Sequence, residues 1–356
     1  MRRNICCAVL LAAISMMVAL SGCRTPTPTT IPPTDTPTPT ATPTPTPSRG
    51  YRVVGNQIVD QDGIPHTFRG ISLPGLDWYH PEWGFEKYLN RETISRIKSW
   101  NANVVRLPLF QRPWRENGEY VQKVLEMVRW IKEEGMDVVL DLHLSERGDP
   151  SMPFENLNEP PMPDIQSIGF WVSVSAVFGD DPSIVFELYS EPHDVSPNVW
   201  LRGGNVDGYT AVGMQTLLDA IRSGGSKNLI VVNGLNWGFN HSNLPRLVGT
   251  NIVYGSHTYT NWEESNTEAE WMAAFGFLAV EYPVMLSSYG DINGDCEGRM
   301  LIDDLLAFAE GISASHIGWA WFVGGCEFPS LIEDWEGTPT ASGAVVKEFL
   351  RLNSNP

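Results

Sequence analysis

Residues 184–193 read IVFELYSEPH. The stretch opens as a short apolar run and closes on three polar residues, Ser190, Glu191 and His193. A short apolar run bounded by polar residues reads as a buried strand. Seven further runs of this kind occur along the chain: TFRGISL (67–73), ANVVRLPLF (102–110), MDVVLDLH (136–143), LIVVNGLNW (229–237), IVYGSHTY (252–259), YPVMLSSYG (282–290) and IGWAWF (317–322). Between several of them lie stretches with apolar residues at i, i+3 and i+4: ETISRIKSW (92–100), VQKVLEMVRWIKEEG (121–135) and AVGMQTLLDAIRSGG (211–225). That spacing predicts amphipathic helices, and the last two end in Gly, a helix stop. Eight strands interleaved with helices predict a parallel (β/α)8 TIM barrel. A doubly wound open sheet shares the alternation, but no G-x-G-x-x-G follows the first run, which argues against nucleotide binding. Ahead of the barrel, YRVVGNQIVDQDG (51–63) alternates apolar and polar residues and ends in Asp-Gly, a hairpin signal.

The bulk numbers narrow the partners. The chain has 356 residues, 42% of them apolar, with thirteen Trp and a net charge of −18. Nucleic acid is excluded, because neutralising its backbone takes clustered Lys and Arg. An anionic membrane surface is excluded for the folded domain on the same ground. Neutral polar ligands fit. The stretch DINGDCE (291–297) places Asp291, Asn293 and Asp295 at the first ligand positions of a calcium loop. Cys296 stands where that loop needs Gly, and Ile302 where it needs a carboxylate. We read it as a polar loop, and predict no metal and no cofactor.

The N-terminus reads as targeting rather than fold. Arg2 and Arg3 precede an apolar run from Ile5 to Leu20, too short for a membrane span and suited to a secretory signal. It ends in Leu20-Ser21-Gly22-Cys23, which resembles a bacterial lipobox. Residues 1–22 are then the signal peptide and Cys23 the acylated mature N-terminus; an ordinary secretory signal is the alternative. Residues 23–48 are almost entirely Pro and Thr after Cys23 and Arg24. Such a segment is an extended, semi-rigid tether rising about 3 Å per residue. Residues 49–356 form a single globular domain, expected as a monomer exported to the cell surface and touching the membrane only through the lipid. Cys6 and Cys7 leave with the signal. Cys296 and Cys326 remain, either as a disulfide, which an exported location permits, or as two free thiols.

In a parallel barrel the active site lies at the C-terminal strand ends. The second run presents Arg106, the third His143, the fourth Ser190, Glu191 and His193, the fifth Asn236 and Trp237. The sixth presents His257 and Tyr259, the seventh Ser288 and Tyr289, the eighth Trp319 and Trp321. Each alone has a structural explanation; together they put polar and aromatic groups at one end of successive strands. FRGISL, NVVRLP, VLDLH, FELYSEPHD, GSHTY and GWAWF, in this order, resemble the strands of glycoside hydrolase family 5, the cellulase-type retaining β-glycosidases. The resemblance runs over residues 51–352.

The resemblance implies roles. Glu191 would be the acid/base, with His257 and Tyr259 hydrogen-bonding the carboxylates and Arg106 offsetting their charge. His143 would contact sugar hydroxyls and Trp321 would form the floor under a sugar ring. The ligand would be a β-linked oligosaccharide or polysaccharide. Two positions depart from the family pattern: Ser288 stands at the nucleophile Glu, and Ser190 at the Asn that grips the 2-hydroxyl. A Ser hydroxyl is a weak nucleophile without a base, and His257 is the nearest candidate for one. Loss of the nucleophile's charge should also let the Glu191 pKa drop toward that of an ordinary Glu. The sequence therefore predicts a family 5-like protein that binds β-linked glycans with impaired retaining hydrolysis. The alternative is an active O-glycosyl hydrolase that pairs Glu191 with Asp291 or uses an unusual mechanism.

Overall fold

The computed structural model describes residues 50–78, 85–153, 157, 159–262, 265–292, 300–325 and 328–354. The signal, Cys23, the Pro/Thr tether, Cys296 and Cys326 lie outside the described residues. Eight parallel strands close into a barrel: β1 (Arg69–Ser72), β2 (Val104–Phe110), β3 (Asp137–Leu144), β4 (Ile184–Glu187), β5 (Ile230–Asn233), β6 (Ile252–Thr260), β7 (Val284–Asp291) and β8 (Ser315–Gly318). Each pairs with the next, and β8 pairs with β1. Helices at Arg91–Ser99, Gly118–Glu133, Gln166–Phe178, Met214–Ser223, Ile302–Gly311 and Ala341–Leu352 pack around it.

Three expectations shift. Ala211 and Val212 do not open a helix; they belong to a small hairpin, Gly203–Val206 with Tyr209–Val212, and the helix starts at Met214. The N-terminal hairpin pairs Arg52–Val54 with Gln57–Val59 and turns at Gly55, whose φ of 61° suits a residue without a Cβ. The Asp62-Gly63 pair makes a second turn that brings Pro65 back onto Val59. The eighth strand ends at Gly318, so Trp319 to Phe322 lie beyond it.

Side chains along a strand alternate between faces, so every second residue enters the barrel. One interior layer is apolar: Val104, Val139, Val185, Val231, Val253, Met285 and Ile317 cluster with Tyr51, Ile58 and Phe68 of the N-terminal segment, which covers that end. Two residues further along the same strands the interior turns polar. Arg106, Asp141, Glu187, Asn233 and Ser287 are each fully buried there. The larger apolar cluster fills the space between the outside of the barrel and the helices.

The apolar layer leaves no room at β1. A Cβ on Gly70 would stand 1.9 Å from the Val104 carbonyl oxygen. Gly70→Ala should therefore lower stability by about 1–3 kcal/mol or more, as overpacking does. Urea unfolding of the isolated domain checks this; an unchanged midpoint would show that the β1–β2 contact relaxes freely.

Candidate active site

The polar layer is organised by one guanidinium. Arg106 Nε donates to Glu187 Oε2 at 2.7 Å, and Nη2 donates to Asp141 Oδ2 at 2.8 Å. All three side chains are fully buried. Glu187 also accepts from Asn233 Nδ2 at 2.6 Å and from Ser287 Oγ at 2.9 Å, and Ser287 donates to Asn233 Oδ1 at 3.1 Å. Burial alone would raise the Glu187 pKa. The Arg106 charge and the His257 bond outweigh it and hold the carboxyl far below its usual range.

The next shell carries the chemistry. His257 Nε2 lies 3.1 Å from Glu187 Oε1, and its Nδ1 lies 2.8 Å from Glu191 Oε1. Burial pulls the His257 pKa down, but these two carboxylates raise it above its ordinary value. Both ring nitrogens are thus committed, and His257 is not a base for Ser288. Glu191 is pushed up by burial and pulled down by the His257 bond; the bond wins and the carboxyl sits below its usual range. The lowering comes from His257 first, with the charges of His143 and Arg106 adding to it. The Glu191 side chain keeps 21% of its surface exposed, enough to meet a ligand.

His143 Nδ1 lies 2.9 Å from Asp141 Oδ2 and 3.0 Å from Ser190 Oγ. Burial lowers its pKa, but the Asp141 bond and charge carry it to about 9. Ser190 is buried and receives Arg106 Nη2 at 3.3 Å, so its hydroxyl serves the His143–Arg106 corner. Ser288 Oγ and Tyr259 Oη are 2.6 Å apart. Burial, then the charge of Glu191, pushes the Tyr259 phenol well up, so it stays neutral and takes no proton from Ser288.

Asp291 does not join these groups. It is 3% exposed, with one carboxylate oxygen accepting from Asn261 Nδ2 and the other from the Leu301 amide at 2.9 Å. It ties loops together beside the barrel mouth. Most of the DINGDCE loop, residues 293–297, lies outside the described residues.

Above the layer opens a cavity of about 480 Å³. Its walls include His143, Glu191, His257, Tyr259 and Ser288, with Trp237, Phe239, Trp262, Trp319 and Phe328 as the aromatic part. Trp319 lies parallel to His143 at 5.7 Å between ring centroids, with the Arg106 guanidinium 5.9 Å from its own ring. Trp321 does not reach the cavity. It is fully buried, packs edge-on to Trp100, and would touch any Cβ on Gly337. The floor was expected at Trp321, but the residue that lines the cavity is Trp319, because β8 ends one residue before it and the chain has turned into the core two residues later. Asn236 and Trp237 have φ of 55° and 59°, and this left-handed turn stacks the Trp237 indole on His193 at 3.6 Å.

Sequence reasoning missed Asp141, Glu187, Asn233 and Ser287. The available signal was a polar residue two places after an apolar one in a fully buried strand, a position where charge survives only when paired. It also missed Glu159, which lines the cavity from the loop after β3. Nothing in its local pattern marks it.

A family model described as Cellulase (glycosyl hydrolase family 5) matches residues 59–325. Endoglucanase C of Evansella cellulosilytica is 28% identical over 227 residues, 60% of this chain and 26% of that protein's length. Cellulase CelDZ1 of a Thermoanaerobacterium species is 23% identical over 276 residues, 73% of this chain and 66% of that protein. The chain thus spans less than two thirds of these relatives. Among solved structures, the beta-glucanase SdGluc5_26A of Saccharophagus degradans in complex with cellotetraose aligns with a TM-score of 0.70 at 21% identity, covering 90% of this chain and 99% of that one. The catalytic domain of Thermobifida fusca endoglucanase Cel5A aligns at 0.66 with 17% identity, covering 85% and 97%. These likenesses share the barrel.

Removing the guanidinium tests the layer. Arg106→Met would leave Glu187 and Asp141 buried without their cation, at a cost of about 3–5 kcal/mol. Adding Glu187→Gln should recover part of that loss. Urea denaturation of the single and double variants reads both effects; equal midpoints for Arg106→Met and the unmodified protein would remove the guanidinium from its organising role.

Proposed function

The chain belongs to the cellulases of glycosyl hydrolase family 5, and from that premise we propose that it binds β-linked glucan chains in the aromatic cavity with retaining hydrolysis impaired. The observation that carries this reading is the contact of Ser288 Oγ with Tyr259 Oη at 2.6 Å. Retaining hydrolysis needs two carboxyl groups about 5–5.5 Å apart across the glycosidic bond. Glu191 stands as the acid/base. On this reading Ser288 takes the place of the second carboxylate, and a neutral hydroxyl bonded to a neutral phenol does not attack an anomeric carbon.

The reading is also supported by what surrounds Ser288. His257 is committed to two carboxylates, and Asp291 has both oxygens bonded to loop groups. Neither is free to activate Ser288 or a water, so an active hydrolase built on Asp291 is disfavoured. Binding survives the substitution. Trp319 and Trp237 offer flat apolar faces to the CH faces of glucose rings. His143, raised to about 9, offers a cationic N–H to hydroxyls at neutral pH. β-Glucan is favoured over other β-linked glycans because the relatives named above are endoglucanases and β-glucanases.

We expect cello-oligosaccharides to bind in calorimetry while aryl cellobioside release stays near background, and Ser288→Glu to raise that release by orders of magnitude. Trp319→Ala should weaken binding at least tenfold, with some loss of stability because the residue is only 8% exposed. Trp321→Ala should instead cost about 3–5 kcal/mol of stability, as a buried aromatic does. Brisk turnover by the unmodified domain would sink the impaired-hydrolysis reading, and no binding to any oligosaccharide would sink the sugar site.

We also propose that the domain is held at the cell surface by a lipid on Cys23 and spaced from it by the tether through residue 48. Palmitate labelling in the producing cell should mark the protein, and Cys23→Ser should abolish the label and release the protein from membranes. Unchanged membrane association of that variant would refute the anchor.

A further inference from the structure

We propose that Asp77 is a positioning residue that, together with Asp141, holds the His143 ring at its two nitrogens and keeps it an imidazolium in the cavity wall. Asp77 follows β1, while Asp141 and His143 both lie on β3. His143 Nδ1 lies 2.9 Å from Asp141 Oδ2, and Nε2 lies 3.8 Å from Asp77 Oδ2. Both aspartates are fully buried. Trp319 lies parallel to the ring, so the imidazole is held at two nitrogens and beside one face.

The two oxygens of Asp77 do different things. Oδ1 accepts from the Gly75 amide at 2.7 Å and closes a tight turn. Oδ2 has no hydrogen-bond partner among the described residues. A buried carboxylate oxygen without hydrogen bonds needs a cation close by, and the ion pair of Asp77 is with His143. The turn alone does not require a carboxylate. Asn would offer Gly75 the same carbonyl oxygen. What Asn would lack is the charge on the oxygen that faces His143.

The segment that carries Asp77 is tied down. The Leu73 amide donates to the Arg106 carbonyl on β2 at 2.9 Å. The Tyr120 hydroxyl, from the helix Gly118–Glu133, donates to the Leu76 carbonyl at 3.0 Å. Leu73 and Leu76 are fully buried. Gly75 turns the chain between them with φ of 126°, a conformation that a residue without a Cβ adopts freely.

Charges of both signs surround His143. Asp141 on its own strand and Asp77 after β1 favour the charged ring, and Arg106 on β2 opposes it. Glu159, Glu191, His257 and Tyr259 line the same cavity. Burial lowers the His143 pKa, but the Asp141 bond and charge and then the Asp77 charge carry it to about 9. Burial raises the Asp77 carboxyl above its usual range, and the His143 charge draws it back. The clamp is therefore complete above the ionisation of Asp77 and is lost as pH rises through about 9.

The inference rests on the reading of His143 as a donor to sugar hydroxyls, but its first test needs no sugar. In the unmodified protein with nitrogen-15-labelled His, one ring should titrate near 9 and carry both protons at pH 7. Its loss in His143→Gln assigns it. Asp77→Asn keeps the turn acceptor and removes the charge, so the His143 titration should fall by about one pH unit or more. Asp77→Glu, which restores a carboxylate, should recover part of that fall. A residue that only held the turn would leave the titration where it was. Calorimetry with cellotetraose gives the second readout. Affinity should drop as pH rises through about 9 in the unmodified protein, and at lower pH in Asp77→Asn. A neutral His143 at pH 7 in the unmodified protein, or an unmoved titration in folded Asp77→Asn, would overturn the clamp. If the titration moves and no oligosaccharide binds at any pH, the clamp stands and the sugar reading falls.

Discussion

A guanidinium sealed inside the barrel is the constraint on which the site depends. Arg106 is fully buried, and burying a charge without partners costs several kcal/mol. It therefore needs carboxylates, and β3 and β4 supply Asp141 and Glu187 from the same interior layer. Glu187 in turn has more acceptor capacity than Arg106 uses, so it draws in Asn233, Ser287 and His257. His257 then reaches Glu191. Each bond in this series adds a partner to a group that the previous one buried, which is why six strands converge on a single arrangement.

The series also sets the electrostatics that a ligand meets. His143 and His257 are both raised by the carboxylates beside them, His143 to about 9. Glu191 sits against one of them and ionises readily. A site with this balance sets a cationic His143 and a carboxylate held below its usual range around one cavity. The aromatic walls set flat apolar faces beside these polar edges.

Much of this was legible in the sequence, for a physical reason. Strand ends in a parallel barrel point one way, so reading the last residues of each apolar run found His143, Glu191, His257, Tyr259 and Ser288 around one cavity, with Arg106 buried beneath them. The errors came where a strand end was misjudged. Placing the eighth strand over IGWAWF made Trp321 the floor; with β8 ending at Gly318, Trp319 faces the cavity and Trp321 joins Trp100 in the core. Asp141 and Glu187 were passed over because they lie inside their strands, where a charged residue in an apolar run is easily read as noise. Asp291, three residues past Ser288, looked available because a Gly intervenes; its two loop bonds are tertiary and have no signature in the chain. Glu159 was invisible for the same reason, since only folding brings the loop after β3 over the end of β4.

The serine at 288 gains meaning from these contacts. A carboxylate there would have met Tyr259 Oη, the group that now bonds the Ser288 hydroxyl, and its charge would have raised Glu191. With serine in place, no anion faces Glu191 from β7. Glu159 lines the same cavity from another direction, on the loop after β3. A like charge raises a neighbour's pKa whichever direction it comes from, but only one of these two directions can also place a carboxylate beneath the anomeric carbon. The protonation state of the site and its capacity to form a glycosyl-enzyme bond are therefore separable properties. The His257 bond to Glu191 acts on the first, and the proposed reading of Ser288 concerns the second.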